Sequence, residues 1–237
     1  MSTAVAAVAF DLDGVIVDTE PFWADAKREV VLEAGGKWKD DAPTAMLGMS
    51  GPEWAHYLRD ELGVPLSGSE IRERVVGLML ARLRGGVPLL PGAGDAVKRV
   101  AERWPLALAS SADRPVIEAV LEAAGLAGFF QVVVASDEVG RGKPAPDVYL
   151  AAAQRLGADA RHVVGIEDSP NGMRAVKAAG MALVAIPNPS TDVGDDVLRT
   201  ADVVLGSVSE LTTDVVERAA RPLRADRRSA RDETGLR

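Results

Sequence analysis

Val5-Ala6-Ala7-Val8-Ala9-Phe10-Asp11-Leu12-Asp13-Gly14-Val15 decides the reading of the chain. Six apolar residues long enough for one buried strand run directly into two acids and a glycine. In an open parallel sheet, the carboxyl ends of the strands face the ligand crevice, and alternation along an extended chain aims Asp11 and Asp13 the same way. Gly14 lets the chain turn away sharply. Alone, such a pair is also what two acids capping a loop would look like.

Further apolar, β-branched runs follow at 106–109, 132–135, 163–166 and 183–186, with a weaker one at 203–205. Between them lie helical patterns with stop signals: Val116, Ile117, Val120, Leu121 and Ala124 before Gly125, then Val148, Tyr149, Ala152 and Leu156 before Gly157. Strand alternating with helix predicts an α/β fold, a Rossmann-like, doubly wound parallel sheet. Between the first two strands, about seventy residues carry helical signals and no convincing strand. They predict an inserted small α-helical cap. Thr19 and Pro21 open its first helix, which Gly35-Gly36 closes, with Trp23, Ala26, Val30 and Ala34 on one face. Ser50 with Glu53, and Ser67 with Glu70, have the spacing of capping boxes. The expected division is a core of residues 1–17 and 88–218, a cap of 18–87, and a disordered, arginine-rich tail of 219–237.

Composition narrows the chemistry. The 237 residues are 47% hydrophobic and 26% charged, enough for a sizeable core, and no apolar run approaches the roughly 20 residues of a membrane span. The start of the chain lacks the basic flank and cleavage site of a signal peptide, so a cytoplasmic protein is expected. With no cysteine, thiolate nucleophiles, disulfides and cysteine-ligated zinc are excluded. A formal charge of −8 argues against nucleic acid as a partner. Oligomeric state is not legible.

A second acidic pair, Glu167-Asp168, follows the buried run Val163-Val164-Gly165-Ile166. Four carboxylates then converge at strand ends, where like charges about 4 Å apart repel by about 4 kcal/mol at an effective dielectric near 20. Such a cluster calls for a cation, and an all-oxygen donor set favours magnesium, with manganese as the alternative. Ser110 ends the second strand, where its hydroxyl and the amides at Ser111 and beyond suit phosphate oxygens, and Lys143 lies in a loop that opens a helix. His56 and His162 have no metal-ligand partner in sequence and read as structural. Trp54 and Tyr57 read as packing residues of the cap.

Taken in order, Asp11-Leu12-Asp13-Gly14-Val15, the strand ending at Ser110, Gly140-Arg141-Gly142-Lys143-Pro144-Ala145-Pro146-Asp147 and Glu167-Asp168-Ser169-Pro170-Asn171-Gly172 resemble the four motifs of the haloacid dehalogenase superfamily. The resemblance implies a magnesium-dependent phosphatase acting on a small phosphorylated metabolite such as a sugar phosphate. It implies Asp11 as nucleophile, Asp13 as acid and base, and Ser110, Ser111 and Lys143 as the phosphoryl clamp. It places the metal on Asp11, the backbone carbonyl of Asp13 and Asp168, with Glu167 beside them. An aspartate at position 13 disfavours dehalogenation and phosphonate cleavage. The rival within the superfamily is a β-phosphoglucomutase-like sugar phosphomutase, whose cap carries histidine where this chain has Trp23. Glu20-Pro21-Phe22-Trp23 looks more like the sugar-phosphate phosphatases, so Glu20 and Trp23 are the candidate substrate contacts.

Overall fold

Strands buried on both faces read as near-continuous apolar runs, and four such strands form the centre of a six-stranded sheet here, with partly exposed strands at its two edges. The computed structural model describes residues 5–46, 49–188 and 193–221. Its strands are β1 (Ala7–Phe10), β2 (Leu106–Ser110), β3 (Phe130–Ala135), β4 (Val163–Glu167), β5 (Ala182–Ala185) and β6 (Val203–Val204). All pairings are parallel, in the order β3-β2-β1-β4-β5-β6. The sequence places each strand to within about two residues. It does not give their order, which makes β1 the strand from which the chain winds in both directions.

Alternation along β1 divides the core. Val8 and Phe10 join Leu106, Leu108, Val164 and Ile166 on one face, where α5 (Ala93–Ala101) and α6 (Arg114–Ala123) pack. Ala7 and Ala9 join Ala107 and Ala109 on the other, against α7 (Asp147–Arg155) and α8 (Pro170–Ala178). Small residues on this second face bring the helices close. A Cβ at Gly165 would lie 2.6 Å from a Val176 methyl, so α8 rests on the backbone of β4. Two further helices, α9 (Asp195–Leu198) and α10 (Thr213–Ala219), flank β5 and β6.

Between β1 and β2 the chain forms α1 (Glu20–Glu33), α2 (Ala42–Ala45), α3 (Gly51–Asp60) and α4 (Gly68–Leu83), the helical cap. The backbone N–H of Ser50 donates to Glu53 at 2.7 Å and that of Ser67 to Glu70 at 2.9 Å, so both capping boxes form. The two crossings run side by side: Asp18 N–H donates to the Pro88 carbonyl at 2.9 Å, and Leu90 N–H to that of Ile16 at 2.9 Å. The apolar faces of α1, α3 and α4 are continuous with the core on the Phe10 side of the sheet. Among the described residues, no helix is long and apolar enough to cross a membrane.

One expectation needs correcting. The fold does not stop at residue 218, because Ala219 and Ala220 are buried beside Val216 under the sheet. The arginine-rich stretch 222–237 lies outside the described residues.

Candidate active site

The site forms where β1 and β4 end side by side. Asp11 N–H donates to the Ile166 carbonyl at 3.0 Å, which extends the ladder by one residue and sets Asp11 beside Glu167. Leu12 points into the core, so Asp11 and Asp13 both face the crevice. Gly14 has φ 81°, and a Cβ there would collide with the carboxylate of Asp168. The glycine therefore serves the turn and the close approach of the second acidic pair together.

Lys143 reaches into this pair of strand ends from the loop before α7. Its ammonium lies 2.6 Å from Asp11 Oδ1 and 2.6 Å from Glu167 Oε1, and 5.1 Å from the ring centre of Tyr149. Glu167 Oε1 also accepts from the Tyr149 hydroxyl at 3.0 Å. Its Oε2 accepts from the Asp168 N–H at 3.0 Å and from the N–H and hydroxyl of Ser169, each at 3.1 Å. Five donors thus saturate a fully buried carboxylate, which fixes Lys143 and the start of α8. Ser169 in turn caps α8, accepting from the Gly172 N–H at 3.1 Å.

Asp168 differs from Glu167: no described donor is directed at its carboxylate. Burial, with the charges of Glu167 and Asp11, raises its pKa well above the usual carboxylate range. Burial also pushes Asp11 up to about 8, against the opposing charge of Lys143. For Lys143, burial works against the ammonium, but Asp11 and Glu167 outweigh it and hold the proton on. One lysine against three buried carboxylates leaves a deficit of positive charge. Oxygens of Asp11, Glu167 and Asp168 lie within 4.8 Å of one another. With Glu167 saturated, Asp11 and Asp168 are the two carboxylates able to take a hard divalent cation, so the residues fit one.

Asp13 sits further out on the same crevice. Its carboxylate accepts a hydrogen bond from Thr19, yet burial raises its pKa against the influence of Thr19 and Trp23. A cleft of about 640 Å³, including its open mouth, joins Asp11, Asp13, Lys143 and Asp168 to the cap residues Glu20 and Trp23. Of the two serines, Ser111 lines the cleft and its hydroxyl has no hydrogen-bond partner among the described residues. Ser110 is fully buried beneath, its Oγ accepting from the Ala112 N–H at 3.0 Å, which leaves its hydrogen to donate. Neither His56 nor His162 lines the cleft.

Sequence reasoning missed Lys27, Met46, Met49 and Asn188, all of which line the cleft, and Tyr149, which supports it. It read Trp54 as packing, and Trp54 also lines the cleft. The spacing of Glu20, Trp23 and Lys27, three and then four residues apart, is the signal that would have found Lys27. Two contacts seat the cap over this cleft. Arg72 of α4 pairs with Asp113 at the start of α6, and Gly142 beside Lys143 has no Cβ where Ser50 and Glu53 approach.

The sequence profile of haloacid dehalogenase-like hydrolases matches residues 5–180. Hexitol phosphatase B of Escherichia coli K12 is 34% identical over 214 residues, covering 88% of this chain and 95% of that protein. A solved variant of CbbY from Rhodobacter sphaeroides, in complex with xylulose-(1,5)bisphosphate, superposes with a TM-score of 0.77 at 30% identity, over 87% of this chain and 96% of that one. β-Phosphoglucomutase from Clostridium difficile has a TM-score of 0.81 at 22% identity, over 93% and 99%, and shares the fold. The four strand-end motifs, the helical cap and these likenesses agree: the chain belongs to the haloacid dehalogenase-like hydrolases.

Proposed function

We propose that the protein is a magnesium-dependent phosphatase that hydrolyses the phosphomonoester of a sugar or sugar alcohol through a phosphoryl group carried on Asp11. The observation that carries this reading is the buried set of Asp11, Lys143 and Asp168, placed together in a cleft that residues of the cap also line. The likeness to hexitol phosphatase B supports hydrolysis, and that relative's name together with the pentulose bisphosphate bound to the CbbY variant supports the substrate class.

Asp11 attacks phosphorus, and Lys143 stabilises both the attacking carboxylate and the phosphoryl oxygens, the electrostatic role that dominates phosphoryl transfer. Asp13, whose pKa burial raises, gives its proton to the leaving alkoxide and then takes one from the water that cleaves the phosphoryl-aspartate. The Ser110 and Ser111 hydroxyls and the amides around them orient the phosphoryl group. Magnesium, held by Asp11, Asp168 and the backbone carbonyl of Asp13, would neutralise the phosphoryl oxygens and relieve the charge deficit around Asp11. The cap excludes bulk water while the ester bond breaks.

Trp23 separates hydrolysis from transfer to a second sugar hydroxyl. Its indole N–H donates but has no basic nitrogen, so it cannot remove a proton from an accepting hydroxyl. The test is a panel of hexitol, hexose, pentulose and glycolate phosphates and nucleotides, followed by phosphorus NMR with magnesium and with excess chelator. Stoichiometric phosphate release that stops on chelation is expected. Interconversion of positional isomers faster than phosphate release, or full turnover in chelator, would contradict the reading.

A further inference from the structure

Lys27 is a charged residue in a place that burial penalises. It is 8% exposed, and its ammonium lies 5.5 Å from the ring centre of Trp23 and 5.4 Å from that of Trp54. It lines the same cleft as the reacting group. Among the described residues, no carboxylate or carbonyl takes a hydrogen bond from it or pairs with it, and Glu20, Asp13 and Asp113 act on it only at a distance. Indole faces attract the charge but offer no lone pairs, so three N–H donors remain to be matched from the cleft.

The surroundings indicate what matches them. Glu20 lies seven residues before Lys27 on α1, on the same helical face, and lines the same wall. The wall therefore offers a donor, an acceptor and two apolar ring faces. A second anionic group would be drawn to Lys27 but repelled by Glu20, and by Asp11, Asp13 and Asp168 across the cleft. A hydroxyl both donates and accepts, so it satisfies Lys27 and Glu20 together, and the carbon-bound hydrogens of a polyol chain pack on indole.

We infer that Lys27, between Trp23 and Trp54 and beside Glu20, forms a subsite for the hydroxyls of a neutral polyhydroxylated carbon chain whose phosphoryl end lies at Asp11. The inference rests on the phosphatase reading above and narrows it to substrates that keep free hydroxyls beyond the ester. It makes Lys27 a specificity residue, remote from the reacting atoms.

The test compares three esters, a hexitol monophosphate, hexyl phosphate and a hexitol bisphosphate, in the wild-type enzyme and in Lys27→Met, which keeps an unbranched apolar stem. The wild type should favour the hexitol monophosphate over hexyl phosphate at least about a hundredfold in kcat/KM. Lys27→Met should shrink that ratio at least about tenfold, chiefly through KM, as expected when a charged hydrogen bond to substrate is lost. An unchanged ratio in the variant would overturn the subsite, since a structural role lowers both esters alike. A loss confined to the bisphosphate would also overturn it, in favour of an anion site. If the variant does not fold, the wild type decides with deoxyhexitol phosphates: removing the hydroxyl from one position at least should cost about fivefold or more, and equal rates throughout would refute the subsite. No phosphate from any ester in the wild type would instead bring down the phosphatase reading on which the subsite rests.

Discussion

The carboxylate of Asp168 occupies the space that a Cβ on Gly14 would fill. The two residues come from turns more than 150 positions apart, one after β1 and one after β4. A residue chosen for its backbone conformation is thus also a wall of the acidic site. Gly14→Ala should displace Asp168, and alanine at φ 81° adds a backbone penalty of about 1 kcal/mol. Activity at saturating substrate should fall at least about a hundredfold, and the magnesium concentration for half activity should rise, while the fold persists. Magnesium titration of activity beside thermal melting checks this. A variant with normal metal dependence would show that Asp168 does not hold the ion.

Glu167 carries the next prediction. Glutamine in its place has one acceptor oxygen for five donors, and its amide would face the Lys143 ammonium or the Asp168 and Ser169 amides. Glu167→Gln should therefore cost about 3 kcal/mol of stability in urea unfolding, as for other buried charged networks broken on one side. Tyr149→Phe, which removes one donor, should cost about 1 kcal/mol. Equal and small effects would show that the network is not what holds Lys143.

Much of this arrangement is legible in the chain. The strands announce themselves because both faces of the sheet are covered, and the acids at 11, 13, 167 and 168 stand out by ending apolar runs. Other parts depend on contacts that spacing does not encode. The saturation of Glu167 requires Tyr149 from α7, and the neighbourhood of β1 and β4 follows from a strand order that chain order does not reveal. Helix α5 follows Gly92, which stands at its N-cap in the left-handed region at φ 80° and offers no side-chain cap, so its start lacks the serine or aspartate signal of other helices. Lys27 escaped because a lysine on an amphipathic helix normally marks the solvent face, and here two indoles cover it.

Lys27 also predicts a trade of stability for function. Burial lowers its pKa from 10.5, more than Glu20, Asp13 and Asp113 raise it. Between the folded and unfolded values, the unfolded chain binds more protons, so this group adds stability as pH rises toward 10.5 and takes it away as pH falls through the folded value. At neutral pH the charged lysine is a net cost, and Lys27→Met should gain about 1 kcal/mol. The gain should shrink as pH approaches 10.5. Thermal melting of both proteins between neutral and alkaline pH measures it, and a lower Tm for the methionine variant at neutral pH would refute the account.

The central claim is that Asp11 carries the phosphoryl group. Acid quenching during turnover of a hexitol phosphate with magnesium, followed by peptide mass spectrometry, tests it directly. The account predicts one phosphoryl group on Asp11, formed at least as fast as phosphate is released, and no such adduct in a folded but inactive Asp11→Asn. Rapid turnover with no phosphorylated peptide, or a phosphoryl group on any residue other than Asp11, would contradict it.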